Sequence, residues 1–501
     1  MEYEKQLAAH ETNIPGVIVF DLAVHGDRRG WFKENWQRAK MRELGLPDFG
    51  PVQNNISYNE QRGATRGIHA EPWDKLISVG AGEIFGVWVD LRPGESYGQV
   101  FTCRLDPSRA IYVPRGGGNA YQALEDGTVY TYLVNAHWSL AQKSQYTFVN
   151  LADPTLGIEW PIPLTESVRS DADLTHPMLA DARPMEPRKT FVVGSHGQLG
   201  RALQAEVARR GLVGWEFHDI DTFDMCDPAA YEAIDWDSYG TIVNAAAFTA
   251  VDRAETPDGR TAAWKINVAG VANLCRVARE HRLTLVHVSS DYVFDGEAAV
   301  HTEDEGFAPL GVYGQTKAAG DALVSQLARH FIVRSSWVIG DGKNFVRTMM
   351  GLSRRVAAGD LPRVTVVDDQ LGRLTFTDEM ARGILWLLGY REGVTALYEP
   401  CPHAAYGTYN LTGSGAVKSW AEIAAEVFDL TCGNADKVVP VSTADYYASA
   451  AGPVSPRPVH SALALDKICA AGFAPADWEQ SLRAYVANEL AGQPADQPGA
   501  E

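Results

Sequence analysis

The hydrophobic pattern changes its period once along this chain. Up to about residue 165, apolar positions fall in short runs rich in valine, isoleucine and aromatic residues, punctuated by glycine and proline. The stretch KLISVGAGEIFGVWVDLRPG, from Lys75, reads as two strands joined at Gly80-Ala81-Gly82 and stopped by Pro93-Gly94. RAIYVPRGGGNAYQAL and TVYTYLVNAHW continue in the same texture. Many short strands with few helical stretches predict a sandwich or barrel. From Thr190, apolar strands alternate with stretches of helical period: TFVVG before QLGRALQAEVARRG, GTIVNAAA before a helix around Trp264 to His281, then LTLVHVSS. That alternation predicts a doubly wound parallel sheet of the Rossmann type. WEQSLRAYVANEL reads as a closing helix before a frayed end.

Between the two textures lies DADLTHPMLADARPMEPRKT, rich in proline and charge and poor in large apolar residues. It predicts a linker, with the boundary near Ala182 to Arg188. The expected organisation is a domain over 1–175, a linker over 176–188 and a second domain over 189–501.

Composition narrows the function classes. At 501 residues the chain exceeds one ordinary core, and its net charge of -19 argues against a general binder of nucleic acid or anionic membranes. A local cluster such as Arg62, Arg66 and Lys75 still leaves room for a small anionic ligand, or for an ordinary solvated patch. The cysteines (103, 226, 275, 401, 432 and 469) include no C-x-x-C pair, so buried free thiols in a reducing cytosol are expected. Met1 opens a polar stretch with no apolar signal core, and no long apolar run follows, so a cytoplasmic protein without a membrane span is expected.

Chemistry enters the second half at FVVGSHGQLG, where Gly194, Gly197 and Gly200 follow a strand and open a helix. Glycines at that spacing let backbone N–H groups approach a pyrophosphate at the helix N-terminus. NAAA ends another strand, SSDYVFDG follows the next, and YGQTK sets Tyr313 and Lys317 four apart on one helical face. A ketone receiving hydride needs a proton on oxygen. A tyrosine O–H can supply it, a lysine ammonium one turn away favours the phenolate, and the Ser290 hydroxyl can hold the carbonyl.

With GSHGQLG, NAAAFTAVDRAE, SSDYVFDG, YGQTK, RSSWVIG and DDQLGRLT, the region from about Lys189 to Leu490 resembles dTDP-4-dehydrorhamnose reductase, an extended short-chain dehydrogenase. The resemblance implies a smaller C-terminal substrate-binding region and NADPH or NADH as cofactor. It also implies that Gln198 and Leu199 lie on the cofactor, with Asp224, Met225, Ala246, Ala247 and Thr249 around it. Ser290 and Asp291 then face the sugar, Tyr313 donates the proton and Trp337 lies on the substrate. Ser290 stands where that family commonly has threonine, and Arg373-Leu374 replaces a small-residue-plus-proline pair. HDIDTFD supplies acids and no arginine, and leaves the choice between NADH and NADPH open.

In the first half, His69 is a candidate base, Lys75 a cation for an oxyanion and Asp153 a partner for the imidazole. Taken singly, a histidine in a β protein is more often hydrogen-bonded core or surface, and D-P-x-x-G is more often a turn. No H-x-H pair accompanies His69, so metal catalysis of the cupin kind is not expected.

The stretches GDRRGWFKENW, VQNNIS, TRGIHAEPWDKL and LADPTLGIEWPIPL make Pro15 to Leu164 resemble dTDP-4-dehydrorhamnose 3,5-epimerase, a metal-free, all-β cupin-like jelly roll. The resemblance implies substrate contacts from Arg29, Phe32, Glu34, Gln53, Asn55, Arg66, Asn119 and Trp138. It makes Tyr132 a proton donor, and it makes His69, oriented by Asp153, the base at C3 and C5 of a 4-keto sugar, with Lys75 on O4. Ala70-Glu71 replaces that family's Tyr-Gln, and Asn119 replaces a histidine.

The two resemblances imply consecutive steps on a dTDP-4-keto-6-deoxy sugar nucleotide, epimerisation and then reduction to dTDP-L-rhamnose. Two other readings stand beside this one: an active reductase fused to a catalytically silent binding or oligomerising module, and a nucleotide-binding regulatory subunit. Homo-oligomer and monomer both stay open.

Overall fold

The computed structural model describes residues 5–138, 141–392 and 403–492. The chain divides into two compact units, residues 1–187 and 188–501.

The first unit is a sandwich of two antiparallel sheets. One runs, in spatial order, Ala8–Glu11, Ile18–Asp21, Arg109–Val113, Lys75–Ala81, Thr128–Val134 and Gln53–Asn59. The other runs Thr147–Phe148, Thr65–Ala70, Gly117–Ala123, Ile84–Asp90 and Val100–Leu105. Alternation along each strand sorts side chains into layers. Ile77 and Val79 point inward to meet Ile84, Trp88 and Tyr121 of the facing sheet. Leu76 points outward into a cluster with Phe20, Leu22 and Phe49, closed by Met41 of the helix Arg38–Glu43. Val87, Val89 and Ile68 point outward from the second sheet, against Val149, Leu151 and Leu156. Central strands therefore carry buried residues on both faces, which is why Lys75–Ala81 reads as a nearly continuous apolar run.

The stretch expected to be a free linker is mostly part of this outer layer. Ala182 and Met185 are 8% and 3% exposed, within the same cluster as Val89 and Leu151. The Met185 N–H donates to Leu91 O at 2.8 Å, Thr147 Oγ1 donates to Arg183 O at 2.8 Å, and Arg115 Nη1 donates to Glu186 O at 2.6 Å. Prolines keep the segment extended, so it shows no period, and its docking rests on isolated side chains and backbone groups.

The second unit is built on a parallel sheet in the order Trp215–His218, Lys189–Val193, Tyr239–Asn244, Thr284–Ser290, His330–Ser335 and Gly407–Asn410. Phe191 and Val193 face the side of Val271–Glu280, while Val192 faces Leu203 of Gln198–Arg209 and Ile384 of Thr377–Leu387. With helices on both faces, the strands read as apolar runs. A separate, smaller core joins Phe345–Ala357, Trp420–Cys432 and the closing helix Trp478–Ala491. The expected frayed end beyond that helix lies outside the described residues.

Among the described cysteines all are unbridged and only Cys275 is buried; Cys103 and Cys226 are half-buried, and Cys432 and Cys469 exposed. The expectation of buried thiols is corrected for those two, which sit at a helix C-terminus and on the short surface helix Asp466–Ala470. Cys401 lies outside the described residues. Among those residues, no helix is long and apolar enough to cross a membrane.

Two candidate active sites

In the first unit the chemistry sits between the sheets. His69 is on the strand Thr65–Ala70 of one sheet, and Lys75 and Tyr132 are on neighbouring strands of the other. Asn119 joins them: it is the cross-strand neighbour of His69, and its amide oxygen receives the Lys75 ammonium. The Glu71 carboxylate also contacts that ammonium. Lys75 is 3% exposed, and burial pushes its pKa well below the usual lysine value. The adjacent carboxylate acts against that fall and favours the charged form. The Lys75 Nζ lies 5.8 Å from the Tyr132 ring centre.

His69 Nε2 lies 2.9 Å from Asp173 Oδ1. Asp173 belongs to the short helix Asp171–Leu174, whose Ser170 cap accepts from the Asp173 N–H. Burial pushes the Asp173 carboxyl up, but the hydrogen bond and charge of His69, with Ser170 and His176, outweigh it and hold the group below the usual value. An ionised Asp173 accepts from Nε2–H and leaves Nδ1 of His69 as the basic atom. Phe148 and His176 meet the His69 ring edge-on, at 5.4 and 5.3 Å between centres.

The expected partner of His69 is therefore corrected. Asp153 instead caps the 3-10 turn Pro154–Leu156, accepting from Thr155 N and Oγ1 at 2.8 and 2.6 Å and from Leu179 N at 2.5 Å. The D-P-x-x-G run is a turn, because its aspartate is directed to its own backbone.

Gln53, Asn55 and Trp138 gather beside Tyr132. Asn55 is opposite Tyr132 across the strands and hydrogen-bonds it; Gln53 Nε2 donates to Asn55 Oδ1 at 2.8 Å, and Gln53 Oε1 accepts the Trp138 N–H at 3.1 Å. Arg66 donates to Asn59 at 3.3 Å, and its charge acts on Tyr132. Arg29, Phe32 and Glu34 are placed differently. They lie on or just beyond the exposed hairpin Val24–Asp27/Gly30–Lys33, where Arg29 pairs with Asp27, Glu34 pairs with Lys40 and Phe32 is 67% exposed. Sequence reasoning missed Asp173 and His176. Their one local signal was the cap spacing of Ser170 and Asp173, hidden in a polar stretch.

In the second unit Gly194 (φ +88°) ends the strand Lys189–Val193, and a Cβ there would stand 2.6 Å from Ala246 N. A Cβ on Gly200 would stand 2.2 Å from Gly194 O. The glycines therefore press the loop against the NAAA strand end and leave the N-terminus of Gln198–Arg209 open to a pyrophosphate. Met225 lies buried beneath this end of the sheet, Leu199 is in the core, Ala246 and Ala247 are half-buried and Thr249 is exposed. Gln198 donates to Lys343 O at 3.3 Å, and Asp224 accepts the Cys226 N–H at 2.8 Å. This cradle fits a dinucleotide.

Ser290 ends the strand Thr284–Ser290; its Oγ donates to Asp291 Oδ1 at 2.9 Å and hydrogen-bonds Tyr313. Tyr313, on the helix Val312–Val324, is 9% exposed. Burial first, and then the Asp291 charge, push its phenol above the usual value, so the resting side chain keeps its proton. Lys317 Nζ donates to Val288 O at 2.7 Å, and burial pushes it down to about 8. Burial likewise pushes Asp291 up to about 6. Asn267 was also missed. Its side chain pairs with Phe248 N and O and donates to Thr316 Oγ1, tying the segment after NAAA to the tyrosine helix. Trp337 (φ +49°) stacks on Trp420 at 3.8 Å, in the smaller lobe. The Arg373-Leu374 departure is absorbed locally: Leu374 is fully buried and Arg373 donates to Leu463 O at 3.2 Å.

Comparison with known proteins covers both units. Residues 188–491 match the family described as RmlD substrate binding domain, and residues 11–181 match dTDP-4-dehydrorhamnose 3,5-epimerase. The chain is 47% identical over 192 residues to the protein RmlC homolog of Streptococcus pyogenes, a span of 37% of this chain and 96% of the relative. It is 34% identical over 313 residues to the dTDP-4-dehydrorhamnose reductase of Aggregatibacter actinomycetemcomitans, covering 60% of this chain and 99% of that one. A solved dTDP-4-dehydrorhamnose reductase from Bacillus anthracis, in complex with NADP, is 28% identical and covers 60% of this chain and 99% of its own, with a TM-score of 0.50.

Proposed function

We propose that this chain, which belongs to the dTDP-4-dehydrorhamnose 3,5-epimerase family through its first unit and to the RmlD reductase family through its second, carries out both activities in succession. The substrate is dTDP-4-dehydro-6-deoxy-D-glucose and the final product dTDP-L-rhamnose. The observation that carries this reading is the convergence of His69, backed by Asp173, with Lys75 and Tyr132 across the two sheets.

In the first step His69 Nδ1 takes the proton from a carbon beside the C4 ketone, and the ionised Asp173 stabilises the imidazolium that forms. The electron pair moves onto O4, where Lys75 meets the developing charge. Tyr132 returns a proton to the opposite face of the carbon, which inverts it. Because C3 and C5 both flank C4, one oxyanion site serves both centres.

In the second step the sugar lies at Ser290 and Tyr313. Bound NAD(P)H supplies hydride to C4. Ser290 orients the carbonyl, and the Tyr313 phenol, kept protonated by burial, gives its proton to O4. Lys317 holds a positive charge behind the site, anchored on Val288 O.

The test is a coupled assay. In D2O with the 4-keto-6-deoxyglucose nucleotide, the chain exchanges hydrogen at C3 and C5 and oxidises NAD(P)H, and Tyr313→Phe lowers oxidation by about two to four orders of magnitude while exchange persists. Reduction without exchange, when the epimerised ketone is supplied, would establish the first unit as a silent module.

A further inference from the structure

His176 follows the short helix Asp171–Leu174, and the proton transfers at C3 and C5 give it no step of its own. Its ring stacks on Phe148 at 4.7 Å and meets the His69 ring edge-on at 5.3 Å. It hydrogen-bonds the Gly67 backbone, while its Nδ1 is buried with no hydrogen-bond partner among the described residues. A ring that gives its Nε2–H to a carbonyl keeps a lone pair on Nδ1, and imidazoles held in that way are typical metal ligands. This Nδ1 stands 3.9 Å from Asp173 Oδ1, the oxygen that meets His69 Nε2 at 2.9 Å.

One ligand atom from each of His69, Asp173 and His176 lies within 4.8 Å of the other two. Zinc with ligands at about 2.0–2.1 Å sets tetrahedral donors about 3.3 Å apart. The observed 2.9 and 3.9 Å bracket that spacing. The segment that carries two of the donors is tied down. Asn150, 8% exposed, donates its amide to Leu174 O and His176 O at 3.2 and 3.1 Å, and the Ser170 hydroxyl accepts the Asp173 N–H at 3.2 Å. The His69 side chain is 32% exposed, which gives the group an entry path. Two imidazoles and one carboxylate suit zinc, whereas magnesium and calcium take oxygen ligands.

We propose that His69, Asp173 and His176 form a zinc site, and that zinc bound there switches the epimerase off. The ion takes His69 Nε2, whose proton leaves to solvent. Nδ1 takes up a proton in exchange, so the ring stays neutral and no longer accepts a proton from the sugar. Asp173 is drawn onto the ion at the same time. No electrons are transferred, and removal of the ion restores the pair. The inhibition rests on the reading of His69 as the base; the binding site does not.

Calorimetry on the chelator-washed full chain measures binding without turnover. Zinc is expected to bind at micromolar concentration or below, and magnesium to leave the titration unchanged. His176→Asn and His176→Gln should each weaken zinc binding at least about tenfold, the scale on which metal sites respond to loss of a supporting group. Thermal melts establish that the variants fold. His196→Asn, in the exposed group His196, Asp219 and Asp221, should leave the affinity unchanged. Zinc should stop hydrogen exchange at C3 and C5 and a chelator should restore it, while NAD(P)H oxidation on supplied epimerised ketone continues. Absence of zinc binding, or folded His176 variants that bind as the parent does, overturns the site. Binding that needs His176 but leaves exchange running overturns the inhibition, and with it His69 as the base. A chain that binds zinc through His176 and shows no exchange even with chelator loses the epimerase reading and keeps the site.

Discussion

His69 Nε2 and Asp173 Oδ1 are 2.9 Å apart, although 104 positions separate them in sequence. Asp153, the other acid brought toward this region, directs both carboxylate oxygens to backbone and hydroxyl donors. His69→Ala and Asp173→Asn are expected to lower hydrogen exchange at C3 and C5 by about two to four orders of magnitude. Asp153→Asn removes a charged cap and should lower stability by about 1 kcal/mol with the exchange rate nearly intact. Exchange in D2O read by mass spectrometry, beside thermal melting, separates the two roles. A dead Asp153 variant with a normal melt would return that residue to the proton-transfer machinery.

Glu71 and Asn119, two places where the chain departs from the epimerase pattern, both contact the Lys75 ammonium. Burial pushes Lys75 down, and a carboxylate in contact with an ammonium, as Glu71 is here, favours the charged form. Lys75 is competent when protonated, so activity is present below its pKa and lost above it. Glu71→Gln removes the opposing charge and should move the alkaline fall of the exchange rate to lower pH, with the acid side unchanged. A pH profile of exchange under saturating substrate measures this, and an unshifted alkaline limb would show that the carboxylate leaves Lys75 unaffected.

Much of this was legible in the sequence, and the misses share one cause. Strand alternation around Ile77 and the apolar runs beside Phe191 specify their layers, because burial on one or two faces writes a period into the chain. Gly194, Ser290, Tyr313 and Lys317 were legible because each stands at a fixed offset from a strand or helix end. Asp173 and Met185 have no such address. They lie in a proline-interrupted segment whose contacts are long-range and individually chosen, so its polar composition reads as a linker although Met185 is buried. Asp153 misled for the converse reason: a local turn explained it fully, and the pull of a distant histidine was not needed.

Burial pushes the Asp291 carboxyl up to about 6, against the ordinary 3.8. Between those values the folded chain binds more protons than the unfolded one. The stability this group contributes is therefore full below about pH 4 and is lost as pH rises through about 6. Asp291→Asn keeps an acceptor for Ser290 and carries no charge. It should stabilise the second unit by up to about 3 kcal/mol at pH 7.5, with the gain shrinking toward pH 4. Denaturant titrations at the two pH values measure it. An equal effect at both pH values would place the ionisation of Asp291 elsewhere.

Each unit carries its own cores and its own set of reacting groups, so we expect the two activities to separate when the chain is divided. Where it is divided matters. A cut near Met185 would strip a residue that is 3% exposed from the outer layer of the first unit, together with the hydrogen bonds of Arg183, Met185 and Glu186. Burying one methionine contributes about 1.5–3 kcal/mol, a large part of the margin of a small domain. A cut between Pro187 and Arg188 spares these contacts and leaves intact the strand Lys189–Val193, which opens the parallel sheet. The first fragment should then exchange hydrogen at C3 and C5 at the parent rate, and the second should oxidise cofactor on supplied epimerised ketone. Mixed, they should convert the 4-keto-6-deoxyglucose nucleotide to the rhamnose nucleotide, with a lag at low concentration while the intermediate diffuses. Fragments cut at Met185 should melt at lower temperature or aggregate. If instead the fragments cut at Pro187 are inactive apart and recover only when co-expressed, the units depend on each other to fold or to react, and the separation of the two sites fails.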